Sequence, residues 1–390
     1  MHIFNSLFFL KKKESHVTVG RQSCDLNQYS MLLSIVLKVK NIFLYLFIVI
    51  LSYSCAGTGN ENDKAGNEVT FVNKHNSNQI DIMAGGRLFA SYRWPVNVYK
   101  PILYPVYASS GTIITRGFPL NPRSGERIDH MHQVGIWFTY GNVNGIDFWG
   151  NGYRGFKEPE GGEIKHVAVE KTEGGDGEGV LLTRESWIDP RGKELMKENT
   201  EYHFIAADSI RIIDRITTLT AGDTSVYFKD TKEGMFGIRV ARQLELPSDE
   251  LITITDSLGN SLKEKVSASI GATGNYHSSD GLHGEQVWGT RARWMALDGE
   301  IGAEKISLVI CDHPENPGYP TYWHARGYGL FAANPFGLID FTKGKEEFGF
   351  SIPANQSVTF RYRVIIKSGS FLSDHEINDF TEQFSRKYGN

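Results

Sequence analysis

The chain has 390 residues, with 41 Lys and Arg against 45 Asp and Glu and a formal net charge of −4 at pH 7. That mildly acidic balance argues against a nucleic-acid surface, which needs a basic patch to meet phosphates. Cysteines stand only at 24, 55 and 311, too few for a disulfide framework.

The N-terminal segment reads as an export leader. Residues 42–51 are apolar, preceded by Lys38 and Lys40 and followed by Ser52, Tyr53, Ser54 and Cys55. The run is too short to span a bilayer as a helix and has the form of a signal-peptide core. A cysteine directly after it predicts cleavage before Cys55 and lipidation of its thiol. A plain secretory signal or an uncleaved anchor is the alternative. Met31 makes a more ordinary leader start than Met1, so residues 1–30 are read as an over-extended frame. Residues 1–54 are then leader, 55–67 a polar tether, and 68–390 one folded domain. The expected location is the periplasm or the outer membrane, with membrane contact only through the lipid.

From residue 68 short β-type runs recur between turn signals, at 69–72, 80–83, 164–169, 180–187, 202–206, 210–219, 226–229 and 235–241. They continue at 293–297 and 306–311, and the clearest alternation is Val358, Phe360, Tyr362, Val364, Ile366. Arg361, Arg363 and Lys367 take the other side of that strand and are expected to meet solvent or a polar groove. No βαβ rhythm interrupts the series, which predicts an all-β fold, a large antiparallel β-sandwich. One helix is expected at the end, where Ser373 to Glu376 forms a capping box ahead of Ile377, Phe380 and Phe384. Its Phe face is expected on the sheet edge. Cys311 ends a strand and reads as a small core residue, not a nucleophile.

Four segments concentrate reactive side chains. In the first, residues 129–133 read as extended, which places His130 and His132 on one face and Asp129 and Gln133 on the other. Residues 134–140 then alternate, and Asn144-Gly145 is strong hairpin chemistry. The second segment, 228–242, sets Lys229, Lys232, Glu233 and Arg239 around Gly234, which is expected to kink the strand and re-aim Glu233. The third, 274–294, carries His277, His283, Glu285, Trp288, Arg291 and Trp294. In the fourth, 312–337, Pro314, Pro317 and Pro320 recur every third residue and predict a stiff, extended loop presenting Trp323, His324 and Arg326.

Two chemistries suit these residues. Histidine acting as acid or base with Glu233 is sufficient for proton transfer at carbon or at a ring oxygen and requires no cofactor. A divalent metal on His130, His132 and a distant third ligand is the alternative, although no tight ligand motif is present. Trp137, Trp149, Trp288 and Trp323 offer flat faces of the kind sugar rings stack on, and would equally make an ordinary core. The acidic loop 173–179 is a hairpin tip without the ligand spacing of an EF-hand.

The strings at 104–119, 129–149, 232–241 and 312–337 resemble a bacterial family catalogued as PmoA family proteins, over roughly residues 68–368. That family is in turn similar to galactose-mutarotase-like sandwiches, which implies sugar chemistry. In that broader fold a histidine and a glutamate on one concave sheet act as acid and base at a sugar ring. The resemblance puts His130 or His132 in the histidine role and Glu233 in that of the base. Gln133 stands where many members are expected to have another histidine, which weakens a three-histidine metal site. The function expected is an exported enzyme on carbohydrate, an epimerase, lyase or hydrolase. His130, His132 and Glu233 would handle protons, and Asp129, Lys232, Arg239, Trp323, His324 and Arg326 would hold the substrate. The alternative is a tethered glycan-binding protein without turnover.

Overall fold

Phe360, Tyr362, Val364 and Ile366 turn one side of the strand Ser357–Ser368 into the protein core, as their alternation requires. The computed structural model describes residues 66–74, 77–151 and 161–389. The leader, Cys55 and most of the tether lie outside the described residues.

In chain order the strands are β1 (Val69–Lys74), β2 (Gln79–Ala84), β3 (Arg87–Arg93), β4 (Ile102–Val106), β5 (Ile136–Tyr140), β6 (Glu163–Glu173), β7 (Glu178–Ile188), β8 (Glu194–Ala207), β9 (Ile210–Ala221) and β10 (Val226–Phe228). They continue as β11 (Gly234–Arg239), β12 (Leu251–Ile252), β13 (Val266–Ser267), β14 (Asn275–Ser278), β15 (Trp294–Ile301), β16 (Glu304–Asp312), β17 (Tyr322–Arg326), β18 (Leu330–Asn334), β19 (Phe350–Ile352) and β20 (Ser357–Ser368). One eight-stranded sheet has the order β1-β2-β3-β4-β5-β11-β18-β17, and a second has β14-β15-β16-β20-β9-β8-β7-β6. Neighbouring strands in both run antiparallel. The expected all-β antiparallel sandwich is the fold that forms.

The core lies between the two sheets. Phe236 of β11 stacks on Tyr362 of β20 with ring centroids 5.0 Å apart, and Phe89 of β3 meets Phe204 of β8 edge-on at 5.6 Å. Asn144 and Gly145 both take positive φ, as the hairpin chemistry predicts, and a bridge pairs Val143 with Ile146.

A short helix α1 (Leu338–Phe341) follows β18, and α2 (Asp374–Tyr388) closes the described chain with the expected capping box. The helix α2 does not sit at the sheet edge. Ile377 and Phe384 cover Trp294, Val309, Cys311 and Ile365, on the outer face of strands inside the second sheet. These strands carry apolar residues on both faces, so the outer face needs a cover. The same cover corrects the reading of Arg363. It is buried beneath the helix, with Nε and Nη2 donating to Asp214 at 2.6 and 2.7 Å and Nη1 donating to the Phe380 carbonyl at 3.0 Å.

Candidate active site

Register places a row of residues across the outer face of the first sheet. Trp137 pairs with Gly237, Gly237 with Ala332, and Ala332 with His324. The adjoining row runs from Arg239 through Leu330 to Arg326. Side chains alternate along each strand, so this face is distinct from the core face that holds Phe138, Phe236, Ile238 and Phe331. Gly237 matters to the floor: a Cβ there would lie 2.7 Å from Cζ2 of Trp137, so the bare backbone lets the indole lie against the sheet.

Residues 129–133 are not the strand that the alternation suggests. His130 takes φ +38°, and the Gln133 amide donates to the His130 carbonyl at 2.9 Å, closing a turn ahead of β5. A buried cation shapes it. The Arg116 guanidinium donates to the carbonyls of Arg127, Asp129, His130 and Gln133 and, at 2.5 Å, to the Asp129 carboxylate. Backbone carbonyls that would be paired in a strand are taken up by one side chain here. Both imidazoles still reach the same side, with ring centroids 5.8 Å apart.

That side is a cleft of about 520 Å³ lined by His130, His132, Gln133, Asp147, Trp149, Gly150, Lys232, Glu233, His324, Arg326 and Tyr328. Six of the nine residues given catalytic or substrate-holding roles from the sequence thus meet there: His130, His132, Lys232, Glu233, His324 and Arg326. Asp129 and Arg239 act from beneath. Arg239 is fully buried and donates to Asp129 Oδ1 and to Gln133 Oε1, both at 2.6 Å. Asp129 Oδ2 lies 3.2 Å from His130 Nδ1, and the His130 ring stacks on Tyr328 with centroids 4.7 Å apart.

Two sequence readings need correcting. Residues 322–326 are not a proline-stiffened loop but the strand β17, paired with β18. Trp323 is not a ligand-facing residue. It points to the opposite face, packs in the core and donates its indole N–H to the Ala292 carbonyl at 3.1 Å, because its neighbours His324 and Tyr322 alternate with it. The third segment does not line the cleft either; its Trp288 ring lies 5.5 Å from the guanidinium of Arg326, which does.

Electrostatics separate the ionisable groups. Burial alone would raise the Asp129 carboxyl, but Arg239, the hydrogen bond with His130 and Arg116 outweigh it and hold Asp129 far below the usual range. Burial pushes the His324 ring down to about 3, and the nearby cations Arg326 and Lys232 add to this. Its Nδ1–H donates to the Lys232 carbonyl at 2.8 Å, which leaves Nε2 as the basic nitrogen. His132 is also held well below its ordinary value, first by burial and then by Lys100, His130 and Arg239. Glu233 moves the other way: burial raises its carboxyl, and Lys232, 3.5 Å from Oε1, only partly offsets this. Gly234 begins β11 under the Tyr140 ring, and Glu233 stands just before that strand.

Sequence reasoning missed Arg116, Lys100, Asp147 and Tyr328. Lys100 is buried, its ammonium 5.6 Å from the Trp137 ring centroid and 3.4 Å from the Trp149 carbonyl, and burial lowers it to about 7. Only Asp147 carried a local signal, since it follows the Asn144-Gly145 turn that swings the chain back over the sheet. Among the described residues no group of three or more His, Cys, Asp or Glu side chains is arranged to hold a metal ion.

Several solved structures are similar to this chain. A GH36 α-galactosidase from Geobacillus stearothermophilus shares 11% identity over 77% of this chain and 41% of its own, with a TM-score of 0.36. A galactose mutarotase-like protein from Clostridium acetobutylicum shares 10% identity over 77% of this chain and 98% of its own, with a TM-score of 0.35. The chain therefore spans about two fifths of the α-galactosidase's length, and no activity is carried over from either protein. No curated protein matches the sequence. The resemblance to PmoA family proteins is overturned, because the family model that matches, over residues 79–382, is a different one. The chain belongs to that matching family, DUF6807, a family of unknown function.

Proposed function

We propose that this protein is an enzyme that moves protons on a carbohydrate, as an epimerase, lyase or hydrolase working without a cofactor. One juxtaposition supports the reading. Glu233, with its carboxyl raised by burial, faces the same cleft as His130, whose Nδ1 lies 3.2 Å from Asp129, and His132, whose ring burial holds neutral. Groups driven apart in this way let a proton donor and a free base coexist near neutral pH.

In this reading Glu233 delivers a proton to a ring or glycosidic oxygen, and His130 accepts one on Nε2 while Asp129 holds its Nδ1. His132 is the second candidate for the base. Lys232 and Arg326 line the cleft and offer donors to the oxygens of a sugar ring. A cleft of about 520 Å³ is in the size range of small-molecule sites. The leader and Cys55 would place this chemistry outside the cytoplasm.

The test is incubation with a panel of neutral and oxidised sugars in D2O, followed by NMR. Proton transfer at carbon appears as deuterium uptake and cleavage as new anomeric signals. The wild type is expected to convert at least one sugar. Glu233→Gln and His130→Ala should slow that conversion by about 10²- to 10⁴-fold while remaining folded. Sugar binding without conversion, unchanged in Glu233→Gln, would make the protein a glycan-binding module instead.

A further inference from the structure

We infer that the sugar this cleft accepts carries a carboxylate and that Arg326 is the residue that anchors it, an inference that rests on the carbohydrate reading above. Arg326 lies on the outer face of β17 and lines the cleft. Its guanidinium is bracketed by two rings, Trp288 at 5.5 Å and Tyr328 at 5.8 Å from their centroids. Aromatic faces hold a guanidinium in place without using its N–H donors.

The described residues leave those donors unspent. Among the described residues no carboxylate forms an ion pair with Arg326 and no oxygen accepts a hydrogen bond from its guanidinium. The contrast with its surroundings is direct. Arg116 and Arg239 share Asp129 beneath the cleft, and Lys232 at its rim lies 3.5 Å from Glu233 and 3.9 Å from Asp340. Among the described residues Arg326 is the cleft-lining arginine left with an open fork, and a planar carboxylate meets such a fork with two parallel hydrogen bonds. Sugar hydroxyls alone would leave its charge unmatched. The ligand's charge is also bounded from above. Asp147 lines the same cleft and would repel a phosphate dianion more than a carboxylate monoanion.

The test is calorimetric titration of the purified protein with hexuronic acids and short oligosaccharides containing them, against their neutral parents and against sugar sulfates and phosphates. Uronates are expected to bind at least about tenfold tighter than their neutral parents, the scale of one charge-assisted contact. Arg326→Gln should abolish that preference, so that uronates bind no tighter than their neutral parents, and Arg326→Lys should keep part of it. Melting curves of both variants check that they fold. Equal binding of neutral and acidic sugars, or a preference that survives Arg326→Gln, overturns the inference and leaves the carbohydrate reading standing. Tighter binding of sulfates or phosphates than of uronates overturns the carboxylate. Failure of every sugar to bind or react overturns both.

Discussion

His324 donates its Nδ1–H to the carbonyl of Lys232, 2.8 Å away, and so ties β17 to the segment that enters β11. The bond fixes the tautomer, and burial pushes the ring down to about 3. An unfolded chain takes up this proton near pH 6.5, whereas the folded protein resists it until about 3. Across that window the unfolded state binds more protons, so stability falls as the pH falls. His132 acts in the same direction, again through burial first. The melting temperature is expected to drop between pH 7 and pH 4, and His324→Gln, which keeps a donor for the Lys232 carbonyl, to flatten the drop. Scanning calorimetry at several pH values measures it, and an unchanged slope would place the loss elsewhere.

Asp129 supports the turn and orients His130 at once. Arg116 and Arg239 are fully buried and both donate to its Oδ1. Asp129→Asn keeps the shape but removes the charge, leaving two buried guanidinium groups with only neutral acceptors where they shared a carboxylate. Breaking a buried pair from one side typically costs about 3–5 kcal/mol, so a loss of this order is expected in a denaturant titration. Activity should fall as well, because the Asn amide can present an N–H where His130 Nδ1 needs an acceptor. If stability were unaffected, the two arginines would have to be solvated, contrary to their burial.

The fold was legible wherever one face of a strand is polar. The run from Val358 to Ile366 announced β20, and Ser373 with Glu376 announced α2. The short strands β3, β4 and β18 were not legible, because they carry apolar residues on both faces and give no alternation. The site was legible as residue types and not as geometry. His130 and His132 were rightly set on one side for a wrong reason: a turn held by Arg116 brings them there, and nothing near Arg116 in sequence announces four carbonyl partners. Trp323 was misplaced because prolines at 314, 317 and 320 masked the strand that follows, whose alternation sends the indole inward and His324 outward. Lys100 gives no signal at all in sequence, since burial alone makes it unusual.

Trp323 gives a direct check on that alternation. It is a fully buried core residue with its indole N–H bonded to the Ala292 carbonyl. Trp323→Ala should cost about 3–5 kcal/mol of stability, as large-to-small core changes do. Under conditions where the variant stays folded, its affinity for any cleft ligand should change little. Arg326→Gln should show the reverse pattern, with little effect on melting and a clear effect on binding. A Trp323→Ala protein of normal stability and weakened binding would return this residue to the site.

Cys311 reports on the cover over the second sheet. Its thiol is fully buried, pushed up to about 12 by that burial, and accepts a hydrogen bond from Thr381 of α2 at 3.3 Å. Thiol reagents attack the thiolate, so native Cys311 should be inert at pH 7 to 8. Modification requires α2 to leave, because Ile377, Thr381 and Phe384 lie over that face. A helix at the end of the described chain, resting on one side of the sandwich, can open at a lower cost than the sandwich between the sheets. The labelling rate of Cys311, followed by peptide mass so that Cys24 and Cys55 do not interfere, should therefore exceed the rate of global unfolding measured by circular dichroism. Phe384→Ala removes a buried ring from the helix and should accelerate labelling further while the sandwich stays folded. Labelling that matches global unfolding in both proteins would mean that α2 and the two sheets open as one unit.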